Sequence, residues 1–322
     1  MTQTDKRDLA SHDDTGPDHV LKASQVVLGL FMLLLLFSSA NPTIAQPDMN
    51  RMTSKIESLI ASHENAVVSV SVIDRSNDID LHIRGDRLYH AASTMKVPVL
   101  IELFRQSSIS RFGLDDEIIL KNEFKSIVDG SLYSIEDDSD DAIYEQLGRP
   151  MKLSQLAYNM ITVSSNLATN ILIDFLSADS VQTTSERLGT RRMQTIRGVE
   201  DLKAFDLGMS NRATSSDLAL LMERIRTGDA VSTEADNSMR EILMDQVFTS
   251  MIPSGLPEGA SVAHKTGSIT EIHHDAAIVY PANGFPFVLV IMTEGIADRS
   301  VSSRLGASIA SLVYSTLRGP VD

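Results

Sequence analysis

Residues 261–293 read SVAHKTGSITEIHHDAAIVYPANGFPFVLVIMT. Ser261 to His264, Ala276 to Tyr280 and Phe287 to Thr293 are short runs of β-branched and small apolar residues, with Asn283-Gly284 as a turn between the last two. They predict three consecutive antiparallel strands, the first ending at Lys265-Thr266-Gly267-Ser268. Beyond them, Leu305, Ile309, Leu312, Val313 and Thr316 recur at helical spacing and predict a closing helix. The other end of the chain mirrors this pattern. Met52, Ile56, Leu59 and Ile60 predict a helix from Met52 to His63. Val68, Val70 and Val72 then alternate with Ser69 and Ser71, the mark of a half-buried strand. After Asn77-Asp78 a second alternating run, Ile79, Leu81 and Ile83, ends at Gly85 and completes a hairpin. From about residue 107 to 250 the patterns are mostly helical, including Leu153 to Asn159, Asn166 to Leu176 and Ser215 to Ile225. The expected class is therefore α+β: an antiparallel sheet of about five strands drawn from both chain ends, flanked by helices, with an inserted all-helical lobe. The sheet part takes about 50–97 and 258–322, the helical part about 98–257, within one domain spanning 46–322.

Composition narrows what such a domain can do. An apolar content of 43% with 22% charged residues is that of a globular protein with a core. A net charge of −15 opposes a nucleic-acid phosphate backbone as partner, because that partner needs a basic footprint. Aromatic residues make up 5% and there is no Trp, so base- or sugar-stacking platforms are not expected either. The absence of Cys removes disulfides, thiolate metal ligands and a Cys nucleophile together.

Ahead of the domain, Val26 to Phe37 is an unbroken apolar run, VVLGLFMLLLLF, followed by Thr43-Ile44-Ala45. It is short for a membrane span and has the length of a signal-peptide core, with cleavage expected before Gln46. The n-region is atypical: residues 1–25 carry Asp5, Asp8, Asp13, Asp14 and Asp18 against Lys6, Arg7 and Lys22. Residues 1–45 are read as a signal peptide or N-terminal anchor. The expected location is periplasmic or extracellular, with membrane attachment only through an uncleaved leader at residues 26–37.

Ser93 and Lys96 stand three apart at the start of a helix predicted over His90 to Arg105, on one face. A serine hydroxyl is a weak nucleophile until a base takes its proton. Lysine becomes that base only when burial or neighbouring positive charge lowers its pKa. Such a tetrad is common by chance; two further elements give it weight. Ser164-Ser165-Asn166 lies 71 residues on, at a helix-to-helix junction, where Ser164 can relay a proton and the Asn166 amide can hold a carbonyl. Lys265-Thr266-Gly267-Ser268 offers cationic and hydroxyl donors for a carboxylate, with a glycine that lets a substrate backbone approach the strand.

In this order and at these separations, the three elements resemble the motifs of the penicillin-recognising serine enzymes, and within them the class A β-lactamase group. The resemblance covers roughly residues 50 to 318. It implies a β-lactamase/transpeptidase-like fold and a β-lactam ring opened through a Ser93 acyl-enzyme. Lys96 would be the base or its partner, Ser164 the proton shuttle and Asn166 a substrate contact. Lys265, Thr266 and Ser268 would anchor the substrate carboxylate, and the N–H of Ser93 with a strand residue near Ser268 would form the oxyanion hole. The expected partner is a small β-lactam or an acyl-D-Ala-D-Ala-like molecule, met by a monomer without cofactor or metal.

Two departures from the group's motifs stand out, and the second bears on turnover. The second motif has Ser165 where the group usually has Asp. The loop that should carry the deacylating base reads Arg197-Gly198-Val199-Glu200-Asp201-Leu202-Lys203-Ala204. Counting from Ser164 makes Glu200 the base, with Ala204 in place of the expected Asn; aligning Arg197 and Leu202 puts Val199 there instead. A weak base would leave a peptidase-like enzyme or a β-lactam-binding protein with slow deacylation. Tyr133, Arg299 and Arg304 are further residues that could border the cleft. His273 and His274 point to opposite faces of a strand and cannot easily share a metal ion. The acidic stretch Glu136 to Asp141 reads as a solvated surface.

Overall fold

The computed structural model describes residues 48–319; the apolar leader run and the expected cleavage site lie outside them. The sheet has five strands: β1 (Val67–Asp74), β2 (Ile79–Ile83), β3 (Ser261–Ile269), β4 (Ile272–Tyr280) and β5 (Phe287–Glu294). Their order is β2-β1-β5-β4-β3, antiparallel throughout. The pairing of Val70 with Ile291 joins the two ends of the chain at the sheet centre.

Side chains alternate across β5 into two cores. Val288, Val290 and Met292 belong to one apolar cluster with the helical insert. Leu289 and Ile291 belong to the other, with Met52 and Ile56 of α1 (Met49–Ala61) and Leu305, Ile309 and Val313 of the closing helix Arg299–Arg318. Each such aliphatic side chain, fully withdrawn from water, contributes roughly 1.5–3 kcal/mol before entropic costs. Because both faces are covered, β1 is not the half-buried strand its alternation suggests. Ser69 and Ser71 are buried, Ser69 donating to the Arg84 carbonyl at 2.7 Å and Ser71 to Ser215 Oγ at 2.8 Å. A hydroxyl with a partner is tolerated inside, so polarity alone did not mark the solvent face.

The insert contains α2 (Lys96–Ser108), α3 (Leu153–Thr162), α4 (Asn166–Leu176), α5 (Ala178–Leu188), α6 (Ser215–Thr227) and α7 (Thr233–Met244). It is not purely helical: Glu117–Ile119 pairs with Pro150–Lys152, and Phe124–Lys125 with Leu132–Tyr133. Helix α6 lies against β1, β4 and β5, so part of the insert is a layer of the sheet sandwich. β3 is an edge strand; beside it a 3-10 turn, Ala92–Met95, leads into α2. Pro98 falls in the first turn of α2, where no intrahelical N–H bond is lost.

Candidate active site

Ser93 sits in the 3-10 turn rather than in the predicted helix, and the residue before it, Ala92, has a left-handed φ of +46°. That conformation costs a non-glycine residue on the order of 1–2 kcal/mol. The surroundings impose it: Ala92 N–H donates to His90 Nδ1 at 3.0 Å, Ala91 N–H donates to the Asn211 carbonyl, and Thr94 Oγ1 donates to the Ala91 carbonyl at 2.6 Å. Burial, with the charges of Arg197 and Arg212, pulls the His90 pKa down to about 4, which keeps its ring neutral and able to accept. Sequence reasoning missed His90; the only local signal was its place three residues before Ser93.

Lys96, the first residue of α2, is fully buried. Its Nζ lies 2.6 Å from the Ser164 carbonyl, 2.9 Å from Asn166 Oδ1 and 3.1 Å from Ser164 Oγ. Burial lowers its pKa to about 7, against the opposing charges of Asp138 and Glu200. Relative to an exposed lysine, the ammonium form is disfavoured by on the order of 5 kcal/mol. A neutral amine has two donors and one lone pair; it can donate to the carbonyl and the amide oxygen while accepting from the Ser164 hydroxyl. Lys265 Nζ approaches the same hydroxyl from β3 at 3.0 Å and donates to the Thr266 carbonyl at 2.8 Å. Burial and the neighbouring Lys96 charge push its pKa well down too. Ser164 Oγ thus bridges two buried lysines, from a residue whose φ is +60°. Among the described residues no hydrogen bond links Lys96 Nζ to Ser93 Oγ directly.

The third motif makes up most of the C-terminal half of β3, which ends one residue beyond Ser268 at Ile269. Its glycine also serves a different approach. A Cβ on Gly267 would stand 2.9 Å from the backbone nitrogens of both Ser93 and Thr94, so the tight neighbour is the nucleophile turn itself. Gly267→Ala should push the strand edge and the turn apart, lowering the acylation rate about tenfold or more while the fold persists; stopped-flow acylation with a thermal melt as control checks this.

The loop carrying the candidate base is pinned at Val199: Asn170 Oδ1 accepts its N–H at 2.6 Å, and Asn170 Nδ2 and the Tyr133 hydroxyl donate to its carbonyl at 2.9 and 3.2 Å. Tyr133 therefore braces this loop from behind. Glu200, the next residue, turns at φ +59° and lines the cavity with Ser93 and Asn166. Its pKa is raised by partial desolvation and by the Asp137 charge, against Arg197 and Lys96. Ala204 is buried and supplies no amide.

Two cavities meet at Ser93. One, about 490 Å³, is walled by Val199, Leu202, Phe205, Ile269 and Ile272. The other, about 280 Å³, is polar, with Ser164, Asn166, Thr266, Ser268 and the guanidinium-bearing Arg299. Arg304 lies elsewhere on the closing helix and donates to Ser300 Oγ. His273 and His274 do diverge: His273 Nδ1 meets Ser302 Oγ, and His274 Nε2 meets the His90 carbonyl. The acidic stretch is only in part the solvated surface expected of it: Glu136, Asp137, Ser139 and Asp141 are exposed, but Asp138 and Asp140 turn inward. Asp138 accepts the N–H groups of Asn166 at 2.7 Å and Leu167 at 2.8 Å, and Asp140 accepts from Asn159 at 2.9 Å.

Comparison with known proteins agrees with this geometry. A family model described as "Beta-lactamase enzyme family" matches residues 51–317. A β-lactamase of Citrobacter koseri is 23% identical over 300 residues, covering 91% of this chain and 97% of that protein. Among solved structures, PBP-A superposes with a TM-score of 0.73 at 25% identity, covering 83% of this chain and 96% of its own. A mutant of PBP-A, solved as an acyl-enzyme complex with penicillin G, has the same score and coverage. A β-lactamase from Sphaerobacter thermophilus superposes at 0.71, also at 25% identity, over 82% of this chain and 96% of that one. With its sheet, its three motifs around one cleft and a family match across nearly all described residues, this chain belongs to the β-lactamase enzyme family.

Proposed function

We propose that the protein is a serine β-lactamase-type hydrolase that opens β-lactams through an acyl-enzyme on Ser93. The observation that carries this reading is the hydroxyl of Ser164 held between two buried lysines beside Ser93. Neutral Lys96 accepts the Ser93 hydroxyl proton as Oγ attacks the lactam carbonyl carbon. The oxyanion is received by the N–H of Ser93 and a donor on β3 near Ser268. The C–N bond then breaks, and the leaving nitrogen takes a proton through Ser164 Oγ from the lysine pair. Lys265, Thr266 and Ser268, with Arg299 at the rim, hold the substrate carboxylate, while Asn166 holds its acyl amide. Glu200 then takes a proton from a water that attacks the ester, regenerating the Ser93 hydroxyl. Export through the leader belongs to the same reading.

A second reading, a penicillin-binding protein that acylates and releases slowly, draws support from Ala204, which leaves Glu200 without an amide partner for water. Nitrocefin hydrolysis followed together with intact-protein mass separates the two. Multiple turnover supports the hydrolase, a persistent adduct without turnover supports the second reading, and no adduct removes Ser93 from the chemistry. Acylation should also rise with pH through a one-proton step near 7. Lys96 is the reason: its base form grows as pH passes its depressed pKa. A rate flat from pH 5.5 to 8.5 would exclude it as the base.

A further inference from the structure

The second motif does not hold itself in place. Ser164 is in the left-handed region, and the three residues that meet Lys96 are the last of a turn and the first of α4. Such a junction keeps its geometry only if the free N–H groups of the helix start are satisfied. Each has a partner: Ser165 N–H donates to the Asn159 carbonyl and Ala168 N–H to Ser165 Oγ, the motif's own cap. The two in between, Asn166 and Leu167, donate to the two carboxylate oxygens of Asp138 at 2.7 and 2.8 Å.

We propose that Asp138 is the positioning carboxylate of this active site: it reaches across from the acidic loop and orients Ser164 and Asn166 toward Lys96. The proposal rests on the reading of Ser93 and Lys96 as the acylating pair. Bidentate acceptance fixes both the position and the rotation of the α4 start, and a carboxylate there is favoured by the helix dipole. The rest of the loop grips the same junction. The Asp137 carbonyl accepts from Asn166 Nδ2 at 3.2 Å, Ser139 Oγ donates to the Val163 carbonyl at 2.5 Å, and the Tyr144 hydroxyl braces Asp138 Oδ2 at 3.1 Å. The serine in the middle of the motif, Ser165, is fully buried with Oγ 3.4 Å from Asp138 Oδ2. Its side chain caps Ala168 N–H and ends beside the same cluster, so a carboxylate placed there would return a negative charge to this helix start.

Asp138 also acts on Lys96 through charge. The ionisable groups facing Lys96 are Asp138 on the acidic loop, Glu200 on the clamped loop and Lys265 on β3; Ser164 and Asn166 of the α4 start are neutral. Removing the Asp138 charge takes away a group that favours the ammonium form, so Lys96 becomes a free base at lower pH.

The test compares Asp138→Asn, Ser165→Asp with Asp138→Asn, and wild type, reading single-turnover acylation by nitrocefin, its pH profile and the thermal melt. Asp138→Asn should slow single-turnover acylation roughly 10–100-fold at saturating nitrocefin, with the half-saturating concentration changed less than the rate constant, and move the acid limb down by about half a pH unit or more. Adding Ser165→Asp should restore the rate to within about threefold and return the limb. An Asp138→Asn enzyme with wild-type acylation, or one whose loss follows its melting point with the limb unmoved, overturns the proposal. If Asp138→Asn does not fold, the double variant decides: folded and acylating supports the proposal, folded and slow overturns it. Failure of the wild type to form an adduct would instead strike at Ser93, and the two failures stay distinct.

Discussion

Ser93→Ala is expected to eliminate both the covalent adduct and turnover, a loss on the order of 10⁴–10⁶-fold in kcat. The neighbouring hydroxyl is poorly placed to substitute, since Ser164 Oγ is held within 3.1 Å of both lysine Nζ atoms. What survives would be binding and the polar donors around the oxyanion, which alone give only a small part of such catalysis. The variant should melt close to the wild type, because Ser93 is not part of the apolar core. Intact-protein mass after incubation with a β-lactam reads the result directly. An adduct of unchanged mass on Ser93→Ala would move the nucleophile elsewhere, with Ser164 the first residue to examine.

Glu200→Gln should have an effect almost as large, confined to the second half-reaction. Acylation is expected to continue near its wild-type rate while release slows about 10²–10⁴-fold, the range of a lost general base. The acyl-enzyme would then accumulate and be visible by mass for long after substrate is exhausted. The expectation follows from the loop's geometry. The Val199 backbone is clamped by Asn170 at both its N–H and its carbonyl, and the chain turns through a left-handed residue immediately afterwards. That turn places the next carboxylate on the Ser93 cavity, where partial desolvation and Asp137 raise its proton affinity. Gly198 is part of the arrangement, since a Cβ there would stand 2.4 Å from Asn170 Oδ1. Steady-state hydrolysis unchanged in Glu200→Gln would remove this carboxylate from the mechanism and leave the water to another base.

Much of the site was legible before any coordinates. The helix and strand periods at the two chain ends arise from residues a few positions apart, and the structure places β1, β2, β4, β5 and the closing helix within a few residues of those patterns. The three motifs carry their chemistry in their own side chains, and the structure brings Ser93, Lys96, Ser164, Asn166 and Lys265–Ser268 to one cleft. The apolar run of β3 stops at His264 because Lys265, Thr266 and Gly267 interrupt the alternation, while their backbones continue the ladder with β4. The burial of Ser69 and Ser71 was missed for a related reason, as each finds its partner on a segment distant in sequence.

What the sequence by itself determined is the inventory: an α+β sandwich with an inserted helical layer, and a serine, a lysine pair and a second hydroxyl in a recognisable order. Those are local properties, written in side-chain type and spacing. Only the tertiary structure decided which groups tune that inventory. The placement of the Val199 backbone depends on a clamp from Asn170, and the depressed pKa of Lys96 depends on complete burial among residues far along the chain. Asp138, which looked like one of several solvated acids, holds two helix N–H groups 28 and 29 residues away. Desolvation and hydrogen-bond partnership are properties of neighbours in space. Spacing along a chain constrains them only where the neighbours are also close in sequence.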